Sequence, residues 1–223
     1  MRFWRAVAAI IWKDIRAELR TKDIFSGMFV FALLAVIIFN FAFELRVPSM
    51  KMVAPGIVWV AIAFAGILGL NRAFVIEQDK GSMAGLLLAP VDRSAIYFGK
   101  MLGNLIFILV VEAILLPLIM IFFNLSLLTW QHLLVLFLGT FGFTAVGTIF
   151  SAIAVNTRAR EVMLPILLFP VLLPVLVAGV KMTGALLDGE TLGSMGSWLR
   201  LVVLYDVGFT VLAYLTFGFV VEE

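Results

Sequence analysis

The 223-residue sequence has no cysteine and a single histidine, His132. Without thiols there can be no disulfides, thiolate metal sites, iron–sulfur clusters or catalytic cysteines. One imidazole cannot supply a multi-histidine metal or haem site within the chain. Charge is scarce as well, at 13% of residues, against about 25% in average soluble domains. The formal net charge of +2 is too small for a nucleic-acid footprint, so no nucleic-acid partner is expected. The sequence also lacks G-x-x-x-x-G-K-[ST], G-x-S-x-G and H-E-x-x-H, which leaves it without the P-loop, nucleophile-elbow and zinc-protease signatures. It is not expected to be an enzyme, and any ATP it depends on must be hydrolysed by a partner.

What the sequence has is apolar length. Hydrophobic residues make up 64% and the mean hydropathy is +1.17. A soluble fold cannot hide so much apolar surface behind so few charges, so the solvent is lipid. Six runs are long enough to cross a hydrocarbon core of about 30 Å as helices. They lie near Ile24–Phe43, Val53–Phe74, Met101–Phe123, His132–Val155, Val162–Val180 and Leu201–Val221. None alternates with the period of a membrane strand. The first run is too long for a cleavable h-region and lacks a small-x-small site, so it is expected to remain as a span. Twelve Lys and Arg fall on the side that holds both termini, Lys100 among them, and four on the other. The positive-inside rule then predicts cytoplasmic termini.

Residues 1–23 form a separate unit. Trp4, Val7, Ala8, Ile11, Trp12, Ile15 and Leu19 make an apolar arc at helical spacing, with Arg2, Arg5, Lys13, Arg16 and Arg20 opposite and Glu18 at the apolar edge. That pattern predicts an interfacial helix resting on an anionic leaflet. Residues 24–223 then form the six-span domain. Its second and third spans are joined by a loop, near 77–93, that runs Glu77, Asp79, Gly81, Met83, Leu86, Leu87, Pro90 through its notable positions. Residues 82–89 are expected to make a short helix with Met83, Leu86 and Leu87 on one face. Pro90 would stop it, and Asp92 or Ser94 would cap the next. Such a helix can bury its leucines in a groove on a soluble partner or lie as an ordinary loop dipping into lipid.

These features resemble the permease subunits of ABC-2-type exporters. Three stretches, with Leu138-Gly139-Thr140, bring the resemblance to the haem exporter B family: Ala54-Pro55-Gly56-Ile57-Val58-Trp59-Val60-Ala61, the Gln78–Pro90 loop, and Leu164-Pro165-Ile166-Leu167-Leu168-Phe169-Pro170 with Leu173-Pro174. The resemblance implies an inner-membrane permease in c-type cytochrome biogenesis. Its implied partners are a second copy of itself, a cytoplasmic ATP-binding subunit, a haem-handling membrane protein, a small single-span subunit and a haem chaperone. It also implies that residues 77–93 are the ATPase-coupling loop. Other cargoes (lipid, polysaccharide or drug) and a non-transporting scaffold remain alternatives.

Polar residues within the spans are few. Glu112, in the middle of span three, is expected to face the bundle interior, because a carboxylate at mid-depth costs about 2.5–3.5 kcal/mol. It would line a polar cavity, contact another helix, or sit protonated on a neighbouring carbonyl. Asp206 is expected to pair with Arg200 or to cap a kink. His132, at the outer mouth of span four, is a candidate haem contact by location; an ordinary interfacial histidine is the plainer reading, and no cofactor is assigned to the chain itself. Ala61, Ala65 and Gly69, and Gly139, Gly142, Gly147 and Ser151, are spaced for close helix packing, chiefly within the chain. Pro165, Pro170 and Pro174 are expected to bend span five. The outer segment Met182–Trp198 is expected to form short interfacial or re-entrant helices.

Overall fold

A computed structural model describes residues 2–43, 46–79, 85–86, 88–155, 157 and 160–222. Seven α-helices account for nearly all of them: α1 (Arg2–Thr21), α2 (Asp23–Phe43), α3 (Ala54–Asp79), α4 (Arg93–Phe123), α5 (Trp130–Val155), α6 (Arg160–Leu187) and α7 (Gly196–Glu222). A single 3-10 turn, Met50–Met52, precedes α3, and no strand occurs among the described residues. Helices α2 to α7 are each long and apolar enough to cross a membrane. Among the described residues the chain is all-α, with the six long apolar helices of a multi-pass membrane protein.

The ends of these helices follow local chemistry. Asn124 closes α4 in the left-handed region at φ 51°, a conformation that asparagine tolerates better than most residues. Pro55 sits in the first turn of α3, where its missing N–H leaves no partner wanting. Asp92 holds the N-cap position of α4 in extended backbone without a side-chain capping bond. Helix α6 runs unbroken through Pro165, Pro170 and Pro174. Two expectations are corrected. Helix α4 begins at Arg93, two turns before the predicted span, which places Lys100 inside a helix. The outer segment forms no interfacial helix: α6 continues to Leu187, and residues 188–195 turn directly into α7, with Gly189 at φ 89°.

Helices α3 and α5 form the centre. Helix α3 packs on α2, α4, α5 and α6, and α5 packs on α3, α4, α6 and α7. Without a hydrophobic drive between helices in lipid, small residues that admit a neighbour decide the fit. Ala61 and Ala65 are fully buried, and Gly69 receives Met28 of α2. Gly139 of α5 and Gly179 of α6 both lie against the six-membered ring of the Trp59 indole, whose Nε1 donates to Thr183 Oγ1 at 3.0 Å. Gly147 receives Leu70, and Ser151 Oγ donates to the Leu70 carbonyl at 2.6 Å. The small residues singled out in α3 and α5 therefore serve packing within the chain. Val30, Leu34 and Ile38 of α2 and Leu204, Val207, Val211 and Leu215 of α7 face outward, as lipid-facing side chains should.

Candidate functional site at the α3–α4 connection

The loop that joins α3 to α4 is anchored by a cluster of four charges from three helices. Helix α1 lies along the first turns of α4. Its inward face is Val7, Ile10, Asp14 and Glu18, while Trp4, Trp12 and Leu19 are exposed, with the Trp4 ring beside Phe98 of α4. The apolar arc read from the sequence is thus split, and the buried seam lies at its edge. Gly99 and Gly103 of α4, four residues apart, form the groove. A Cβ at Gly99 would stand 2.7 Å from Ile10 Cγ2, and one at Gly103 would stand 3.8 Å from Asp14 Oδ2.

Between these glycines Lys100 is 2% exposed. Its Nζ lies 2.9 Å from Asp14 Oδ2 and 2.5 Å from Glu77 Oε1, and donates to the Ala73 carbonyl at 3.2 Å. The Phe74 ring centroid lies 5.7 Å away, adding a cation–π contact. Lys13, from the next position on α1, pairs with Glu77 and lies 3.3 Å from Asp14 Oδ1. Two cations and two carboxylates balance, which is what allows charge to be buried here. Burial alone would raise the Glu77 carboxyl, but Lys100 and Lys13 outweigh it and hold it below the usual range. Burial likewise opposes the charge on Lys13, and the bond to Glu77 with the Asp14 charge raises it above an ordinary lysine.

Further contacts extend this frame. Glu18 Oε1 accepts from the Phe25 backbone N–H at 2.8 Å, so the acidic residue at the apolar edge of α1 caps the start of α2. Arg93 Nη1 donates to the Gly218 carbonyl at 3.3 Å, tying the start of α4 to the end of α7. Along the α4–α5 interface, Asn104 donates to Thr148 at 3.5 Å and Thr140 donates to Glu112 Oε1. Lys100, Asn104 and Glu112 thus form one polar stripe at four- and eight-residue spacing, facing the threonines of α5.

Of the loop positions picked from sequence, Glu77 is a central member of the cluster. Leu86 is partly buried beside the lower core, and Pro90 is exposed. Asp79 ends α3, while Gly81, Met83 and Leu87, with most of the expected 82–89 helix, lie outside the described residues. Glu112 faces the interior, bonded across to α5 as one of its expectations had it. Asp206 does not pair with Arg200: it is buried with no hydrogen-bond partner among the described residues, and Arg200 is exposed. His132 is turned inward, 4% exposed, with Nδ1 2.6 Å from Thr129 Oγ1. Sequence reasoning missed Asp14, Lys13 and Lys100 as a unit. The Gly99-x-x-x-Gly103 spacing around a lysine was the available signal.

Comparison with known proteins fits this architecture. The family model described as CcmB protein matches residues 5–222. Heme exporter protein B of Rhodobacter capsulatus is 27% identical over 175 residues, spanning 78% of this chain and 80% of its own. That of Pseudomonas aeruginosa is 26% identical over 202 residues, 90% of both chains. That of Escherichia coli K12 is 28% identical over 104 residues, 47% of this chain and 46% of its own. With six spans, an amphipathic first helix and a family match over almost its whole length, this chain belongs to the CcmB protein family.

Proposed function

We propose that the chain is the membrane-spanning permease subunit of a haem exporter complex that serves c-type cytochrome biogenesis. Its relatives' name, heme exporter protein B, supports the cargo. The observation that carries the mechanism is the buried charge cluster at both feet of the α3–α4 loop. In this reading the complex sits in the cytoplasmic membrane with both termini inside. A separate ATP-binding subunit docks on residues 77–93, where Glu77, Asp79 and Gly81 open the contact, Met83, Leu86 and Leu87 fill a groove, and Pro90 ends it. A second copy of this chain, a haem-handling membrane protein, a small single-span subunit and a haem chaperone complete the assembly. His132 is a candidate contact for haem on the outer side only if the outer end opens, because its imidazole is packed inward here.

The chain's own residues do no bond-breaking chemistry in this scheme. Glu77 and Lys100 clamp the two feet of the loop, Asp14 and Lys13 lock α1 to the clamp, and α3 carries displacement into the bundle centre. The test is purification of the tagged chain from its native membrane together with a deletion strain. The expected result is an associated ATPase and a haem-containing membrane companion, with c-type cytochromes lost from the deletion strain and haem synthesis intact. Normal c-type cytochromes in that strain would overturn the cargo assignment. Within the purified complex, Leu86→Asp should abolish stimulated ATP hydrolysis without removing the chain from the membrane, and unchanged stimulation would overturn the docking assignment.

A further inference from the structure

Asp206 lies eleven residues into α7, about 15 Å along the helix and so near the middle of the bilayer. It is 4% exposed, and neither carboxyl oxygen has a hydrogen-bond partner among the described residues. One turn further on, the Thr210 hydroxyl is also buried, without a hydrogen-bond partner among the described residues. Gly142 of α5 makes the room: a Cβ there would overlap Asp206 Oδ1 and stand 3.2 Å from the Tyr205 ring. Tyr205 itself donates to the Val171 carbonyl of α6 at 3.0 Å, which fixes this turn of α7 against two helices.

Among the described residues, no cation on a helix packed against α7 is placed to balance a carboxylate here. On α4, Arg93 is bonded to Gly218, Tyr97 to the Ala145 carbonyl, Lys100 to Asp14 and Glu77, and Glu112 to Thr140. The last of these meets α5 through Thr140, two positions from Gly142 and so on the opposite side of that helix. His132 of α5 is ten residues from Gly142 and bonded to Thr129. On α6, Arg160, Glu161 and Lys181 stand ten or more residues from Val171. Arg200 and Tyr214 of α7 are exposed. Asp206 and Thr210 offer three oxygens in all, whereas hard metal cations take about six to eight. The ligand that suits one orphaned carboxyl in hydrocarbon is a proton, because it removes the charge that burial penalises.

We propose that Asp206, with Thr210 beside it, is an intramembrane proton-binding site whose occupancy seats α7 on α5. On binding, a proton from water forms an O–H bond at one carboxyl oxygen. On release that bond breaks, the proton returns to water, and a carboxylate is left against Gly142. The resulting charge at the α5–α7 seam then loosens α7.

The test uses the full chain in lipid vesicles with its aspartates carbon-13-labelled at the carboxyl. Infrared spectroscopy at neutral pH should show an isotope-shifted band of a protonated carboxylic acid, lost in Asp206→Asn and kept in Glu112→Gln. Absence of any such band in the unmutated chain, or its survival in Asp206→Asn, overturns the proposal. If Asp206→Asn fails to insert, the labelled unmutated chain still decides, since its other aspartates lie outside the spans or, for Asp23, at the very start of one. Seating is read by amide exchange of α7 peptides. At the alkaline pH where the band disappears, exchange in the unmutated chain should exceed that of Asp206→Asn at the same pH. Equal exchange in the two overturns the link between proton and helix.

Discussion

Replacing Lys100 with methionine should release α1 from the bundle while leaving the spans intact. Removing one partner of a fully buried ion pair costs about 3–5 kcal/mol, because the other charge stays buried without compensation. Here Lys13 still faces both carboxylates and its side chain is 46% exposed, so water screens part of the loss. A loss of about 2 kcal/mol is the reasonable expectation, equivalent to a roughly 30-fold larger population of detached α1. Trypsin reads this directly, since Lys13, Arg16 and Arg20 lie within α1. When opening and closing outpace cleavage, the cut rate follows the open population. Vesicle-embedded Lys100→Met should therefore release fragments of α1 about 30 times faster than the unmutated chain. Arg200→Gln, exposed at the opposite end, should cut at the unmutated rate. The double variant Lys100→Met/Glu77→Gln should recover most of the loss, because it removes both members of the pair and leaves Asp14 with Lys13. An unmutated cut rate in Lys100→Met, or a double variant worse than its two components combined, refutes the reasoning.

Three further outcomes follow from the same geometry. The Glu77 carboxyl is held low, so its contribution is fully present above the ordinary value of 4.5 and fades only as pH falls below it; Lys13 is held high, so its contribution is present below 10.5 and fades as pH rises above it. Attachment of α1, followed by the same cleavage, should accordingly be flat between those limits and weaken outside them. Gly99→Val places a branched side chain against Ile10, and overpacking of this kind costs about 1–3 kcal/mol; it should free α1 as Lys100→Met does, but without changing the pH profile. Glu112→Gln retains an acceptor for the Thr140 hydroxyl and should leave thermal stability in detergent nearly unchanged, whereas Glu112→Leu strands that hydroxyl and should cost about 1–3 kcal/mol.

The spans were legible because lipid imposes a length that few other structures share, and each predicted run lies within an observed helix to within a few residues or extends it. Ala61, Ala65 and Gly69 were legible as packing positions for the same reason: in lipid the small side of a helix is the packed side. The inward face of α1 was not legible. In water an apolar arc marks the buried side, but at a membrane surface lipid also accepts apolar side chains, so Trp12 and Leu19 are exposed. The buried seam instead carries Asp14 and Glu18, whose placement depends on a lysine 86 positions beyond Asp14 and on the start of α2. Lys100 read as a loop charge because charge counting asks only on which side a cation falls. Its partners come from α1 and α3, and no periodicity within a single helix encodes such a meeting. Asp206 misled for a related reason: Arg200 is close in sequence, yet an offset of six positions places the two on different faces of α7, one against Gly142 and one in the open.

On the exporter reading, the cluster explains how a short loop can move a large bundle. A flexible loop between two independent helix ends would absorb a partner's push by bending at its feet. Here the feet are bonded to each other through Glu77 and Lys100, and both are bonded to α1, so the two helix ends move as one body. That body continues into α3, which has 26 residues and therefore a length of about 39 Å. At the far end of α3, Trp59 is lodged between Gly139 and Gly179 and bonded to Thr183. A ring that fills the space left by a glycine on each of two helices cannot slide without disturbing α5 and α6, because packed interiors shift between discrete arrangements and do not deform smoothly. A displacement at the α3–α4 loop is thereby delivered to the opposite mouth of the bundle through one enclosed helix, with the ion cluster as its grip and the tryptophan as its wedge.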